Sequence, residues 1–383
     1  MALFAGAPAP VFRARSPVNL NYAFSSLGGL FVVLGFLPPP GPERDAAIAM
    51  VRTHADLFQD DRCVFFGVLP DAASFEGLRD TPPLRWFDDA DGALRRLYDA
   101  ETPAGGVAPR WVAIDPTQRV MGWTDLINGE TMFRQLAKLG LPEAHAGVPM
   151  HAPVLIAPRI LEKPLCRRLI DYYAVQGGMP SGVMREVNGL TVGVLDDFKK
   201  RRDATIVDEE LNATVRDRIA RRLIPEIRKV FQFDATRIER YIVACYDAEA
   251  GGYFKAHRDD TTPATAHRQF AVSINLNAEE LDGGDLRFPE FGLRTYRPPT
   301  GGAVVFSCSL LHEATPVTRG TRYAFLPFLF DERGAQVRGR HLGRHPPPAR
   351  GPRRLAQAIG ESGRGIALRR SELFPDADHP GAG

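Results

Sequence analysis

From Ile238 to Phe330 the chain is a series of short apolar runs, 238–246, 269–277, 285–288, 293–297, 302–307 and 321–330, each cut off by Gly, Pro or Asp. Runs so short cannot form long helices, and several in series indicate an antiparallel sandwich or barrel. Upstream the period is different. Pro164 to Val175 sets Leu165, Leu169, Ile170 and Tyr173 on one helical face. Asp208 to Val230 does the same with Leu211, Val215, Ile219, Leu223 and Ile227, with a kink expected at Pro225. The second half should therefore be a β core at 236–331 supported by helices.

The first half alternates differently. Residues 30–37 (LFVVLGFL), 63–69 (CVFFGVL) and 111–115 (WVAID) are continuous apolar runs, as in strands buried on both faces. Helix-like stretches, Ala46 to Phe58 and Asp91 to Tyr98, lie between them, which makes this half α/β. A chain of 383 residues exceeds the ~250–300 at which a single core stops growing, so two domains are expected. Gly147 to His151 reads as a linker, giving boundaries at 1–145 and 152–332. Residues 333–383 form a basic tail: from Gly334 onward nine arginines face four acidic residues. Its Arg, Gly and Pro content predicts disorder over most of its length, with a short helix possible at Arg353 to Ile359.

The body is left near neutral, which gives no reason to expect nucleic-acid binding. No apolar run approaches the ~18 residues of a membrane span, and no basic-then-apolar leader is visible. Cys63, Cys166, Cys245 and Cys308 are widely separated, so neither a zinc ribbon nor a disulfide framework is indicated, and a reducing cytoplasm is expected. The sequence does not define an oligomeric state.

One constellation carries chemistry. His257 and Asp259 are two residues apart, and in an extended strand they project to one face. His312 follows the 302–307 run, so only a folded sheet could bring it to the pair. Two histidines and a carboxylate on one face of an iron leave three positions open for a chelating keto acid and dioxygen. Arg322, ten residues beyond His312, supplies a fixed fork-shaped cation for a distal carboxylate. Asp260 should point to the opposite face from Asp259. His54, His145, His151, His267 and the tail histidines lack such partners and read as surface or linker residues. Cys63 begins a buried run, where it reads as a small core hydrophobe.

These motifs fall in a recognisable order: Tyr241 to Tyr246, Gly252-Tyr253, His257-Arg258-Asp259, Ser273 to Asn277, Gly283 to Leu286, Leu311-His312-Glu313, and Thr321-Arg322-Tyr323. Over about 155–331 the series resembles the prolyl 4-hydroxylase-like branch of the Fe(II)/2-oxoglutarate dioxygenases. The resemblance implies a double-stranded β-helix (jelly roll) with supporting helices and iron held by His257, Asp259 and His312. It also implies that Arg322 seats the distal carboxylate of 2-oxoglutarate, that Tyr246 lines its pocket, and that L-ascorbate keeps the iron reduced. Several relatives have a tyrosine where Asn275 is the nearest match here, and retention of Asp259 disfavours halogenation. The implied reaction is hydroxylation of a peptidyl substrate, such as a prolyl side chain, or of a small amino-acid-like one, with release of succinate and CO2.

The order of elements over about 1–140 resembles the thioredoxin-like fold of peroxiredoxins. Where that family places its nucleophilic cysteine, this chain has Leu37-Pro38-Pro39-Pro40-Gly41-Pro42, so a docking or structural role is expected. Two other readings compete. A non-catalytic scaffold would release no succinate, and a redox enzyme would depend on Cys63.

Overall fold

A computed structural model describes residues 3–76, 78–187, 190–344 and 366–367. The chain divides into two compact units, Met1–Ala152 with Phe288–Arg294, and Pro153–Arg287 with Thr295–Gly383.

The first unit is built on a five-stranded sheet in the order Trp86–Asp88, Cys63–Leu69, Phe31–Phe36, Arg110–Ile114, Val120–Asp125. The first three strands are parallel and the last two pair antiparallel, which is the thioredoxin-like arrangement. All of Phe31–Phe36 is buried because alternate residues enter different cores. Phe31 and Val33 join the core of the helices Pro42–Thr53 and Gly129–Ala137, while Val32, Leu34 and Phe36 join a second core with Phe12, Phe24 and Tyr98. The first helix begins at Pro42 rather than at Ala46, since proline is well suited to a first helical turn whose N–H needs no partner.

Cys63 is buried in this sheet, and desolvation pushes its thiol up to about 12. A thiol so shifted presents roughly a thousandth of the thiolate of an ordinary cysteine at neutral pH. The folded protein should therefore react with iodoacetamide at Cys63 at least ~100-fold more slowly than a free thiol, and should turn over no peroxide through it. Rapid labelling of Cys63 in the native state, read by peptide mass spectrometry, would overturn this.

The second unit is a jelly roll of two sheets. The larger runs Arg237–Glu239, Phe328–Phe330, Phe270–Asn275, Thr321–Phe325, Ile242–Asp247, Arg202–Thr205, with Ala303–Ser307 also paired to Phe270–Asn275. The smaller runs Lys199–Lys200, Tyr253–His257, His312–Ala314, Leu286–Arg287, Thr295–Tyr296. The helices Lys163–Gln176, Glu209–Arg218 and Ile224–Phe231 bury Leu169, Val215 and Ile227 with Val243, Ile274 and Phe325 of the larger sheet. Asp208 caps the second of these, accepting from the Leu211 N–H at 3.0 Å. The break expected at Pro225 is absorbed just before it by a π turn, Ile219–Leu223. Proline has no N–H and crowds the carbonyl four residues back, and the wider turn accommodates both.

Three details differ from expectation. The 238–246 run is two strands, broken where Arg240 turns to φ 52°, and the 321–330 run is broken at Leu326-Pro327. Lys199–Lys200 and Arg202–Thr205 are strands that their basic side chains concealed. The tail, expected to be largely disordered from 333, begins as the helix Glu332–Arg344, where Asp331 Oδ1 accepts from the Gly334 N–H at 2.9 Å. The suggested helix at 353–359 lies outside the described residues. No helix among the described residues is long and apolar enough to cross a membrane.

Candidate metal centre

The smaller sheet brings the three sequence-selected residues together. His257 ends the strand Tyr253–His257, and His312, directly opposite it in the antiparallel register, begins His312–Ala314. Asp259 follows two residues after His257, its N–H held by the Cys308 carbonyl at 2.9 Å. Its carboxylate oxygens lie 3.6 Å from His257 Nε2 and 3.4 Å from His312 Nε2. The donor atoms of all three residues fall within 4.8 Å of one another.

The orientation of each ring is fixed from behind. His257 Nδ1 is 2.7 Å from the Lys255 carbonyl and His312 Nδ1 is 3.0 Å from the Leu310 carbonyl, which places the proton on Nδ1 and leaves the Nε2 lone pair for a ligand. Phe254 stacks on His257 at 3.5 Å and Phe306 packs on His312 at 4.5 Å between ring centroids. Burial, followed by the neighbouring His312, draws the His257 pKa well down. Burial would raise the Asp259 carboxyl, but His312, His257 and Arg268 outweigh it and hold it well below the usual carboxylate range. Two imidazole Nε2 atoms and one carboxylate suit a first-row divalent cation with open positions. Asp260 is not part of this group, and its carboxylate accepts from the Ser309 hydroxyl.

Arg322 lies on Thr321–Phe325 and is 4% exposed. Its Nη2 donates to Ser273 Oγ at 2.9 Å and lies 3.5 Å from Asn275 Oδ1, and its Cζ is 5.1 Å from the Tyr246 ring centroid. Among the described residues no carboxylate lies within ion-pair distance of it, and nearby Asp285 is bound to Arg297. A buried guanidinium with only neutral partners is costly to hold, and its pKa is lowered by desolvation. Asn275, expected against the cosubstrate, uses its Nδ2 on the Pro298 carbonyl at 2.7 Å and turns its oxygen toward Arg322.

Other residues of this region escaped the sequence reading. Arg201 is buried, with Nη1 donating to the Tyr246 hydroxyl at 3.3 Å and Nη2 to Asp203 at 2.6 Å. Only recognition of the short 199–205 strands would have located it. His267, expected at the surface, is 3% exposed and pairs with Glu239 at 2.7 Å, while Arg268 donates to both Glu239 oxygens at 3.1 and 2.7 Å. Burial would raise the Glu239 carboxyl, but Arg268 and His267 overcome this and hold it far below its ordinary value.

Glu239→Gln leaves Arg268 without its carboxylate and should cost about 3 kcal/mol at pH 7, read by denaturant unfolding. A carboxyl depressed by folding contributes fully above its unfolded pKa of about 4.3, and the contribution declines from there as pH falls toward the much lower folded value. The gap between variant and wild type should therefore shrink by pH 3.5. A gap that stays constant or widens would contradict the pairing.

The chain has recognisable likenesses to known proteins. Residues 241–330 match the 2OG-Fe(II) oxygenase superfamily. A PKHD-type hydroxylase of Synechococcus sp. (strain JA-2-3B'a(2-13)) is 33% identical over 93 residues, 23% of this chain and 41% of that protein. One from Delftia acidovorans is 37% identical over 84 residues, 20% of this chain and 37% of that protein. The chain thus spans less than half the length of these relatives. The viral collagen prolyl hydroxylase of Paramecium Bursaria Chlorella virus-1 aligns at 18% identity and TM-score 0.36, covering 46% of this chain and 94% of that one. The mitochondrial 2-cys peroxiredoxin of Plasmodium falciparum aligns at 18% and 0.30, covering 35% of this chain and 92% of that one. Residues 241–330, which carry His257, Asp259, His312 and Arg322, are a domain of the 2OG-Fe(II) oxygenase superfamily.

Proposed function

We propose that the chain is an Fe(II)- and 2-oxoglutarate-dependent hydroxylase acting on a peptidyl substrate, such as a prolyl side chain, or on a small amino-acid-like one. The observation that carries this is the pairing of a three-donor group with a buried, carboxylate-free guanidinium in one jelly roll. Iron would be held by Nε2 of His257 and His312 and by a carboxylate oxygen of Asp259. When bound, iron and 2-oxoglutarate supply the oxidising chemistry that places one oxygen atom in a substrate C–H bond, with succinate and CO2 as coproducts.

The chain's own residues supply position. Arg322 takes the distal carboxylate through a charge-assisted hydrogen bond, Ser273 and Asn275 fix the guanidinium, and the Tyr246 hydroxyl, itself held by Arg201, donates to the same carboxylate. Phe254 and Phe306 pack on the ligand rings, restricting water around them and holding their orientation. Ascorbate fits as the reductant that keeps the iron ferrous, and four buried free cysteines fit a reducing, cytoplasmic setting. The thioredoxin-like unit, with prolines where a nucleophile would stand, serves as a docking or structural module.

The test is the purified full chain supplied with Fe(II), 2-oxoglutarate, ascorbate and dioxygen, with succinate measured. Succinate release that requires iron is expected. Its absence would leave a non-catalytic scaffold as the reading.

A further inference from the structure

We propose that Arg201 is a positioning residue for the cosubstrate: it commits the Tyr246 hydroxyl as a hydrogen-bond donor to the distal carboxylate, an inference that rests on the oxygenase reading. Strand register brings the parts together. Arg202 pairs with Cys245, so Arg201 stands opposite Tyr246, and Tyr246 pairs on its other side with Arg322. Two guanidiniums thus flank the Tyr246 ring, with Arg201 Cζ 5.8 Å and Arg322 Cζ 5.1 Å from its centroid. The two cations differ in what they hold. Arg322 has only Ser273 and Asn275 as hydrogen-bond partners among the described residues, whereas Arg201 Nη2 donates to the Asp203 carboxylate at 2.6 Å. Asp203 also accepts from Ser181 Oγ at 2.6 Å, and Ser181 accepts from Lys199 Nζ at 2.6 Å and from Arg201 Nη2 at 3.3 Å. Arg201, 7% exposed, is therefore matched in charge and held in place, and its Nη1 donates to the Tyr246 hydroxyl at 3.3 Å.

The direction of that bond decides what the hydroxyl can do. A phenol has one proton to give and accepts through its oxygen, while a guanidinium only donates. With Arg201 donating to the oxygen, the hydroxyl's own proton must point elsewhere. Neither flanking arginine can take it, and among the described residues the hydroxyl has no hydrogen-bond acceptor. Tyr246 is 3% exposed, and a buried O–H without an acceptor is costly. A carboxylate seated on Arg322, the cross-strand neighbour of Tyr246, would supply the acceptor. Arg201 thus acts on the cosubstrate through Tyr246, and its own charge is answered by Asp203.

The experiment uses the full chain with Mn(II) in place of iron under anoxia, titrated calorimetrically with 2-oxoglutarate. Wild type is compared with Tyr246→Phe, with the pair variant Arg201→Met plus Asp203→Asn, and with all three substitutions combined. Removing the cation and its carboxylate together keeps the net charge constant and leaves no unpaired buried ion. Tyr246→Phe and the pair variant should each bind 2-oxoglutarate about tenfold more weakly, with Mn(II) affinity retained. The triple variant should lie within about twofold of Tyr246→Phe, because Arg201 then has no hydroxyl to orient. The proposal is overturned if the pair variant binds like wild type. It is overturned equally if the losses multiply to about a hundredfold, which would put Arg201 on the carboxylate directly, or if Mn(II) uptake is lost as well, which would make Arg201 a structural residue. Wild type that takes up Mn(II) but no 2-oxoglutarate would instead bring down the oxygenase reading, and this role for Arg201 with it.

Discussion

A His312→Ala variant is expected to bind Fe(II) at least ~100-fold more weakly than wild type and to release succinate at under a hundredth of its rate. Outer partners of a metal ligand alone are commonly worth ten- to a hundredfold, and loss of a ligand should exceed that. His312 is the ligand candidate from the distant strand, so its removal leaves His257 and Asp259 as a pair with no third donor among the described residues. Asp260→Ala is the control. That carboxylate bonds Ser309 and stands outside the group, so its loss should leave iron stoichiometry intact. Metal content by elemental analysis, with succinate measured on the same preparations, reads both. Full iron occupancy and turnover in His312→Ala would remove the three-donor site.

The site was legible where the chemistry is encoded locally. His257 and Asp259 share a face because a strand repeats every two residues, and the Gly, Pro and Asp breaks marked the strands that bring His312 opposite His257. Legibility failed where long-range pairing overrides composition. Lys199 to Thr205 reads as a polar, solvated segment, yet its strands pair with Phe254 and with Ile242 to Cys245 and place Arg201 beneath Tyr246. His267 looked like a surface residue because its partner, Glu239, is 28 residues earlier on a strand that no local pattern connects to it. Arg240 was hidden by a left-handed turn inside an apparently continuous run, and the bond that orients the Asn275 amide runs to the Pro298 carbonyl, which no local pattern connects to it. In each case a buried charge or amide was satisfied by a distant residue.

Arg322→Met separates two consequences that act in opposite directions. For 2-oxoglutarate, the variant deletes the cation that would face its distal carboxylate and leaves that charge in a pocket walled by Tyr246 and Ser273. Removing one member of a buried ion pair costs about 3–5 kcal/mol, which is roughly 10²- to nearly 10⁴-fold in affinity. For the ligand-free protein the sign reverses. Among the described residues Arg322 has no carboxylate of its own, so replacing it with an uncharged side chain of similar length removes a desolvation penalty. The variant should unfold at the same or a higher temperature than wild type without cosubstrate, and should lose the stabilisation that wild type gains when 2-oxoglutarate is added. Thermal unfolding with and without 2-oxoglutarate, in the presence of Mn(II), reads both effects on one sample. A variant that is destabilised when empty yet still stabilised by 2-oxoglutarate would show that Arg322 is a structural cation and that the distal carboxylate is seated elsewhere.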